Sequence, residues 1–106
     1  MALVAHIDGQ ANCARKGIAV APDQILEIFR PDFALRVWNA DKRAGLEIPV
    51  RVHVSEHAGR TWVACRLPST LFAPYANPEL DALARELDAI FLRIVAAVHD
   101  TKEASA

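Results

Sequence analysis

Several features that would place this protein in a well-marked class are scarce in its sequence. Its 106 residues include two cysteines, Cys13 and Cys65, which are too few for a disulfide framework or for two CxxC metal knuckles. Their separation and their small or apolar surroundings favour reduced thiols in a cytoplasmic protein. Lysine and arginine total 12 against 13 acidic residues, so there is no basic excess to displace the counterions of nucleic acid. We therefore expect no nucleic-acid partner.

The chain also lacks a long hydrophobic run. Its most apolar stretch, residues 89–98, contains Arg93 and is far shorter than the ~20 residues that cross a bilayer. The start, Met1 to Asp8, has neither the basic end nor the apolar core of a secretory signal. The sequence therefore predicts no membrane association. A composition of 53% hydrophobic and 24% charged residues is typical of a folded domain, predicted here over residues 1–100, with a frayed tail at 101–106.

Residue patterns predict an α+β fold. Short β-branched or alternating runs predict strands at residues 3–7, 24–29, 48–55 and 61–67. Helical segments are predicted at residues 8–17, with Asp8 as the cap, at 32–41, with Gly45 as the stop, and as one turn at 70–75. We expect two layers: an antiparallel sheet of about four strands, with helices packed on one face and a long C-terminal helix.

The C-terminal helix has the clearest start signal and stripe. Asn77 is a favourable cap and Pro78 suits the first helical position, since its missing N–H has no partner there. An apolar stripe follows at helical spacing: Leu80, Leu83, Leu87, Ile90, Ile94 and Val98. This helix should cover the apolar face of the sheet.

The last two strands should form a hairpin whose register can be predicted. A two-residue turn at Ala58-Gly59 pairs His57 with Arg60. One face is then apolar: Val50, Val52 and Val54 oppose Leu67, Cys65 and Val63, respectively. A slip by one residue would put Trp62 and Arg66 among the valines, so this register is favoured.

The opposite face of the hairpin is the best candidate site. It carries Arg51, His53, Ser55, Trp62 and Arg66. Two guanidiniums, an imidazole and an indole suit a small anionic or aromatic ligand. Tryptophan and arginine are also enriched in protein interfaces, so burial in a homodimer and a plain solvated face are the alternative interpretations.

Other chemistry-bearing residues give weaker signals. Cys13 is a candidate reactive thiol because Arg15 and Lys16 lie close to it, although no base is identifiable beside it. Cys65 is predicted to be a small buried hydrophobe. His53 and His57, four strand residues apart, are separated by about 13 Å, too far for one metal ion. With no Gly-rich phosphate loop, GxSxG elbow or haem-attachment motif, the sequence predicts no metal, cofactor or catalytic residue set.

Four segments occur in an order that is recognisable. They are Ala2–Asp8 with Ala11-Asn12 and Gly17, then Ala40–Val54, Gly59–Val63, and Asn77–Leu80. Together they resemble the DUF302 family over roughly residues 2–98; the second is similar to that family's AD-x-x-x-GL-x-(L/I)P-x-(R/K)V stretch. The resemblance implies a two-layer α+β domain found in small bacterial and archaeal proteins, often dimeric. It implies no catalytic residues.

Two departures from the family pattern bear on assembly and function. Family members usually have a further strand and helix before the position of Leu3. The family's small residue, Asn and Pro after the second strand read here as Phe29-Arg30-Pro31, so only the proline matches. A missing strand leaves an unpaired sheet edge, and a second chain is the simplest way to cover it. We therefore predict a homodimer.

Three functional hypotheses remain open. The first is a non-enzymatic DUF302-like domain that dimerises or binds a small ligand. The second is a small thiol- or histidine-dependent enzyme, or a redox-linked protein, that uses Cys13 or the face bearing His53. The third is a subunit that completes its sheet with a different protein. Replacing Cys13 with Ala separates the first two, because a dimerisation domain should not depend on that thiol.

Overall fold

Four antiparallel strands form one sheet in the order β1-β2-β3-β4, with helices against one face. The computed structural model describes residues 1–104, and the side chains of residues 1–98. The strands are β1 (Ala2–Asp8), β2 (Asp23–Phe29), β3 (Val50–His57) and β4 (Arg60–Cys65); the α-helices are α1 (Gly9–Ala14), α2 (Pro31–Ala40), α3 (Pro68–Phe72) and α4 (Pro78–Ala104). Short 3₁₀ segments occupy Lys42–Glu47 and Ala73–Tyr75. The predicted α+β class is confirmed; the side chains of the predicted frayed tail, residues 101–106, lie outside the described part.

The hairpin has the predicted register. Val52 pairs with Cys65, and Val54 pairs with Val63. Ala58 and Gly59 have φ values of 54° and 74°, the left-handed backbone that a two-residue type I′ turn requires. β4 ends at Cys65, so the predicted opposition of Val50 and Leu67 falls beyond the strand.

The core lies between α4 and one face of the sheet. Val52 in β3 is fully buried, and so are Leu80 and Phe91 in α4. The core also includes Ile28, Phe33, Val37, Ala44, Val50, Phe72, Leu83, Ala84 and Leu87. The predicted stripe of α4 therefore covers the valine face of the hairpin, as its spacing indicated.

Side-chain caps set several of the element boundaries. The Asp8 carboxylate accepts from the Ala11 amide at 2.9 Å, and the Asn77 side chain accepts from the amides of Glu79 and Leu80 at 2.9 and 3.2 Å. Both caps were predicted. α2 ends earlier than Gly45, because Asp41 is extended (φ −158°, ψ 110°) and caps the 3₁₀ segment at the Arg43 amide.

Contacts from α4 also fix α3. The Asp88 carboxylate accepts from the Ser69 amide at 3.0 Å, so α3 begins at Pro68 rather than at Thr70, where the turn was predicted. Neither α4 nor any other helix in the described residues is long and apolar enough to cross a membrane.

The packing of α4 can be tested with two neighbouring residues of that helix. We expect Phe91→Ala to lower the free energy of unfolding by ~3–5 kcal/mol, because the ring is fully buried and its loss leaves a cavity. Leu92→Ala should change it by no more than ~0.5 kcal/mol, since Leu92 is 56% exposed. Denaturant titration measures both. Equal effects of the two substitutions would contradict the orientation of α4.

Candidate functional site

The second face of the sheet is open over the described residues, and the strand register arranges its side chains in rows. Ile7, Ile25, His53 and Ala64 form one row across β1 to β4. In the next row Ala5, Glu27 and Arg51 are neighbours. Arg66 directly follows Cys65, the last residue of β4, which pairs with Val52.

A depression of about 720 Å³ lies against this open face. Its sheet side consists of Ile25, Glu27, Arg51, His53, Ala64, Cys65 and Arg66. Its other side is built by the 3₁₀ segment and the residues after it, from Leu46 to Pro49, together with Leu71 of α3. The depression thus combines charged groups on the strands with apolar groups on the wall.

Two contacts hold the wall in place. The Tyr75 hydroxyl donates to the Glu47 carboxylate at 2.7 Å. Gly45 lies under the Trp38 indole so closely that a Cβ at this position would be 2.9 Å from Nε1. A larger residue at 45 would require the indole to move, so a close approach explains glycine here.

The charged groups of the depression differ in how far they are already paired. The His53 Nε2 lies 3.0 Å from both carboxylate oxygens of Asp23. The Arg51 guanidinium is 4.0 Å from the Glu27 carboxylate, at the outer limit of an ion pair. The Arg66 guanidinium has no hydrogen-bond or ion-pair partner among residues 1–98. The two arginines are therefore the most available polar groups.

The structure divides the five residues of the predicted site into two groups. Arg51, His53 and Arg66 line the depression, whereas Ser55 and Trp62 pair with each other further along the hairpin. The Trp62 indole donates to the His57 carbonyl at 3.2 Å, beneath the Arg60 guanidinium. It borders a separate shallow depression of about 400 Å³ beside Leu92. Ligand binding by the five residues stays a prediction, and the geometry makes a single site of all five less favourable.

The apolar wall was not predicted from the sequence. Leu46 is 85% exposed, and Ile48, Pro49 and Leu71 join it at the depression. No periodic pattern runs through Lys42–Glu47. The one available signal was an apolar residue in a segment between Gly45 and Pro49, where a turn is expected to be polar.

The two cysteines lie in different surroundings. Cys13 is half-buried in α1 and is not among the residues that line the depression, and the nearby Arg15 guanidinium donates to Asn12 at 2.9 Å. Cys65 is half-buried on the helix-facing side of β4, where burial, reinforced by the Asp88 carboxylate, raises the pKa of its thiol. A raised pKa disfavours the thiolate and hence nucleophilic chemistry. Among residues 1–98, no three His, Cys, Asp or Glu side chains converge as a metal site would require.

His6 and Asp8, which the sequence places two residues apart on one strand, do not form a polar pair. The His6 Nε2 lies 2.6 Å from the Gln24 side-chain oxygen, and Asp8 caps α1. Each therefore has a structural partner.

Comparison with known proteins supports the predicted resemblance. The family model of DUF302, a domain of unknown function, matches residues 1–98. The chain belongs to the DUF302 family. The crystal structure of an uncharacterized conserved DUF302 protein from Bacillus stearothermophilus has a TM-score of 0.73, with 24% identity over 90% of this chain and 72% of the other. At that identity the similarity shows the fold alone. No curated protein matches the chain.

The hydrogen bond between Tyr75 and Glu47 should make the stability of the protein depend on pH. The bond to Glu47, with burial and the charge of that carboxylate, raises the pKa of Tyr75 above its ordinary value. Because the pKa is higher in the folded state, the Tyr75 hydroxyl loses its proton at a lower pH in the unfolded chain than in the folded protein. The stabilising contribution is therefore complete below the ordinary tyrosine pKa of about 10 and declines as the pH rises towards the folded-state pKa.

Tyr75 is the only tyrosine in the chain, so phenolate absorbance reports it alone. We expect its titration midpoint to lie above the ordinary value, and Glu47→Gln to lower it. Glu56→Gln is the control, because Glu56 is exposed and not a cause of the Tyr75 shift. If Tyr75 of the unmodified protein titrates with a midpoint at the ordinary tyrosine value, the wall is not held by the hydrogen bond from Tyr75 to Glu47.

Proposed function

We propose that this DUF302 domain is a non-catalytic binding protein that holds a small ligand against the open face of its sheet. The observation that carries the proposal is the depression between that face and the 3₁₀ wall. Its volume of about 720 Å³ is typical of ligand pockets, which are roughly 300–1,000 Å³. Such pockets combine apolar lining with a few convergent polar groups. Here the apolar part is Leu46, Ile48 and Leu71, and the available polar groups are Arg51 and Arg66.

The arrangement of possible nucleophiles and bases favours binding over catalysis. A cysteine nucleophile needs a base within hydrogen-bonding distance. Cys65 and His53 both border the depression, but Cys65 pairs with Val52 on the helix-facing side of the sheet, whereas His53 pairs with Ala64 on the open side. The His53 imidazole is engaged by Asp23, and burial raises the pKa of the Cys65 thiol. The rival hypothesis is a thiol- or histidine-dependent enzyme, or a redox-linked protein, that uses Cys13 or the face bearing His53. It gains no support from this site, because Cys13 does not line the depression.

Self-association is a second candidate function, and a different surface favours it. β1 is an edge strand on which Leu3 is 55%, Val4 51% and Ile7 39% exposed. The strand contains neither lysine nor proline, the residues that commonly block pairing at sheet edges. An exposed apolar edge of this kind suits pairing with a second copy of the chain.

Ligand binding can be tested with a chemically mixed fragment library and NMR spectra of the labelled protein. We expect saturable shifts at Ile25, Arg51, Ala64 and Arg66, because these residues line the depression. Leu46→Asp should abolish them by placing a charge on the apolar wall. Leu35→Asp is the matched control: that leucine is also largely exposed but lies on α2, away from the depression. Shifts that survive Leu46→Asp, or a library without hits at these residues, would contradict the proposal.

Self-association can be tested by sedimentation at tens of micromolar. We expect the unmodified protein to sediment as a dimer, and a Leu3→Lys/Val4→Lys double variant to sediment as a monomer because two charges now lie on the β1 edge. Leu35→Lys should leave the dimer intact. A monomeric unmodified protein would refute the dimer, and a dimer in the double variant would exclude the β1 edge as its interface.

A further inference from the structure

We propose that the ligand of this depression is a monocarboxylate with a short apolar body, and that Arg51 and Arg66 bind its carboxylate. The inference rests on the proposed binding function and adds the chemical class of the ligand. It follows from how the charges and apolar groups are distributed within the depression.

The lining of the depression contains two like charges. Arg51 and Arg66 both line this depression, and two like charges that face one space repel each other. Glu27 relieves this only in part, since its carboxylate is 4.0 Å from the Arg51 guanidinium, and Arg66 has no partner among residues 1–98. A carboxylate between the two guanidiniums would remove the repulsion and accept their paired N–H groups, for which arginine has the matching geometry.

Acidic side chains in the lining limit the charge of the ligand. Glu27 and Glu47 line the same depression as the two arginines. The formal charges of the two acidic and two basic side chains of the lining cancel. The depression therefore has no net positive field to favour a dianion, and a phosphate would bring its second charge near these carboxylates. A single carboxylate gains the arginine contacts with less of that repulsion.

Apolar side chains in the lining determine what the rest of the ligand should be. Leu46, Ile48 and Leu71 face the same space as the arginines, and Leu46 is the most exposed large apolar side chain of residues 1–98. Covering these groups favours an apolar body joined to the carboxylate. No Phe, Tyr or Trp side chain lines the depression, because Trp62 is held over the His57 carbonyl outside it. The aromatic ligand considered from the sequence thus has no indole to stack on here.

A matched series of ligands tests the assignment. NMR titration of the full-length protein would compare 4-methylpentanoate with the alcohol, the amine and the phosphate monoester of the same 4-methylpentyl body. We expect the carboxylate to bind about tenfold or more tightly than the alcohol and the amine, the range expected for hydrogen bonds to a charged group. It should also bind more tightly than the phosphate. Its shifts should map to the residues around Arg51 and Arg66.

Variants of the two arginines identify the binding groups. Arg66→Gln and Arg51→Gln should each weaken 4-methylpentanoate about tenfold, while Arg60→Gln, at an exposed arginine outside the depression, should leave its affinity unchanged. Arg66→Lys keeps the charge but removes the planar fork, and should have an intermediate effect. Because Arg66→Lys preserves the charge pattern of the depression, it also keeps the test decisive if a glutamine variant does not fold.

The outcomes distinguish a wrong ligand class from a wrong binding function. If the alcohol or amine binds in the depression as tightly as the carboxylate, the ligand class is wrong and the binding function stands. Tightest binding of the phosphate would overturn the single-charge argument. An equal loss in Arg60→Gln and Arg66→Gln would overturn the assignment of the arginines. If fragments bind in the depression but none of the four compounds does, the class alone fails; if nothing binds there, both proposals fail.

Discussion

The packing of α4 across the valine face of the sheet is the interaction on which the rest of this structure depends. Phe91 and Leu80 are fully buried from the helix side, and Val52 is fully buried from the sheet side. Secondary contacts fix α2 and α3 to α4. The Arg36 guanidinium reaches the Glu86 carboxylate at 2.5 Å and joins α2 to it, while the Asp88 carboxylate caps α3. A single long helix thereby positions α2 and α3.

The same packing leaves the opposite face of the sheet open, and this determines where a ligand can bind. Strand alternation sends Val50 and Val52 towards α4, and must therefore send Arg51 and His53 to the open side. The face alone would be flat. It becomes concave because the 3₁₀ segment rises beside it, held by the bond from Tyr75 to Glu47 and by the close contact of Gly45 with Trp38. The candidate site is thus a product of the core and of one anchored loop.

Those parts of the molecule whose structure is set by local patterns could be predicted. The hairpin register followed from the apolar alternation of Val52, Val54 and Val63, and α4 followed from the Asn77 cap and the apolar stripe. The wall could not be predicted, because its position depends on contacts made by residues distant in the chain, such as Tyr75. Sequence also grouped Trp62 with Arg66 on one face. Four strand residues separate them by about 13 Å, so they border different depressions.

The central claim is that one sheet face is sealed by α4 while the other remains open to a ligand. Paramagnetic broadening of side-chain methyl signals by a soluble gadolinium chelate tests it most directly. Leu46 is 85% exposed and Val52 is fully buried. The account predicts strong broadening of the Leu46 methyls, weaker broadening of Ile25, and none of Val52 or Leu80. Protection of Leu46 and Ile25 equal to that of Val52 would contradict it, because the face assigned to the ligand would then be covered.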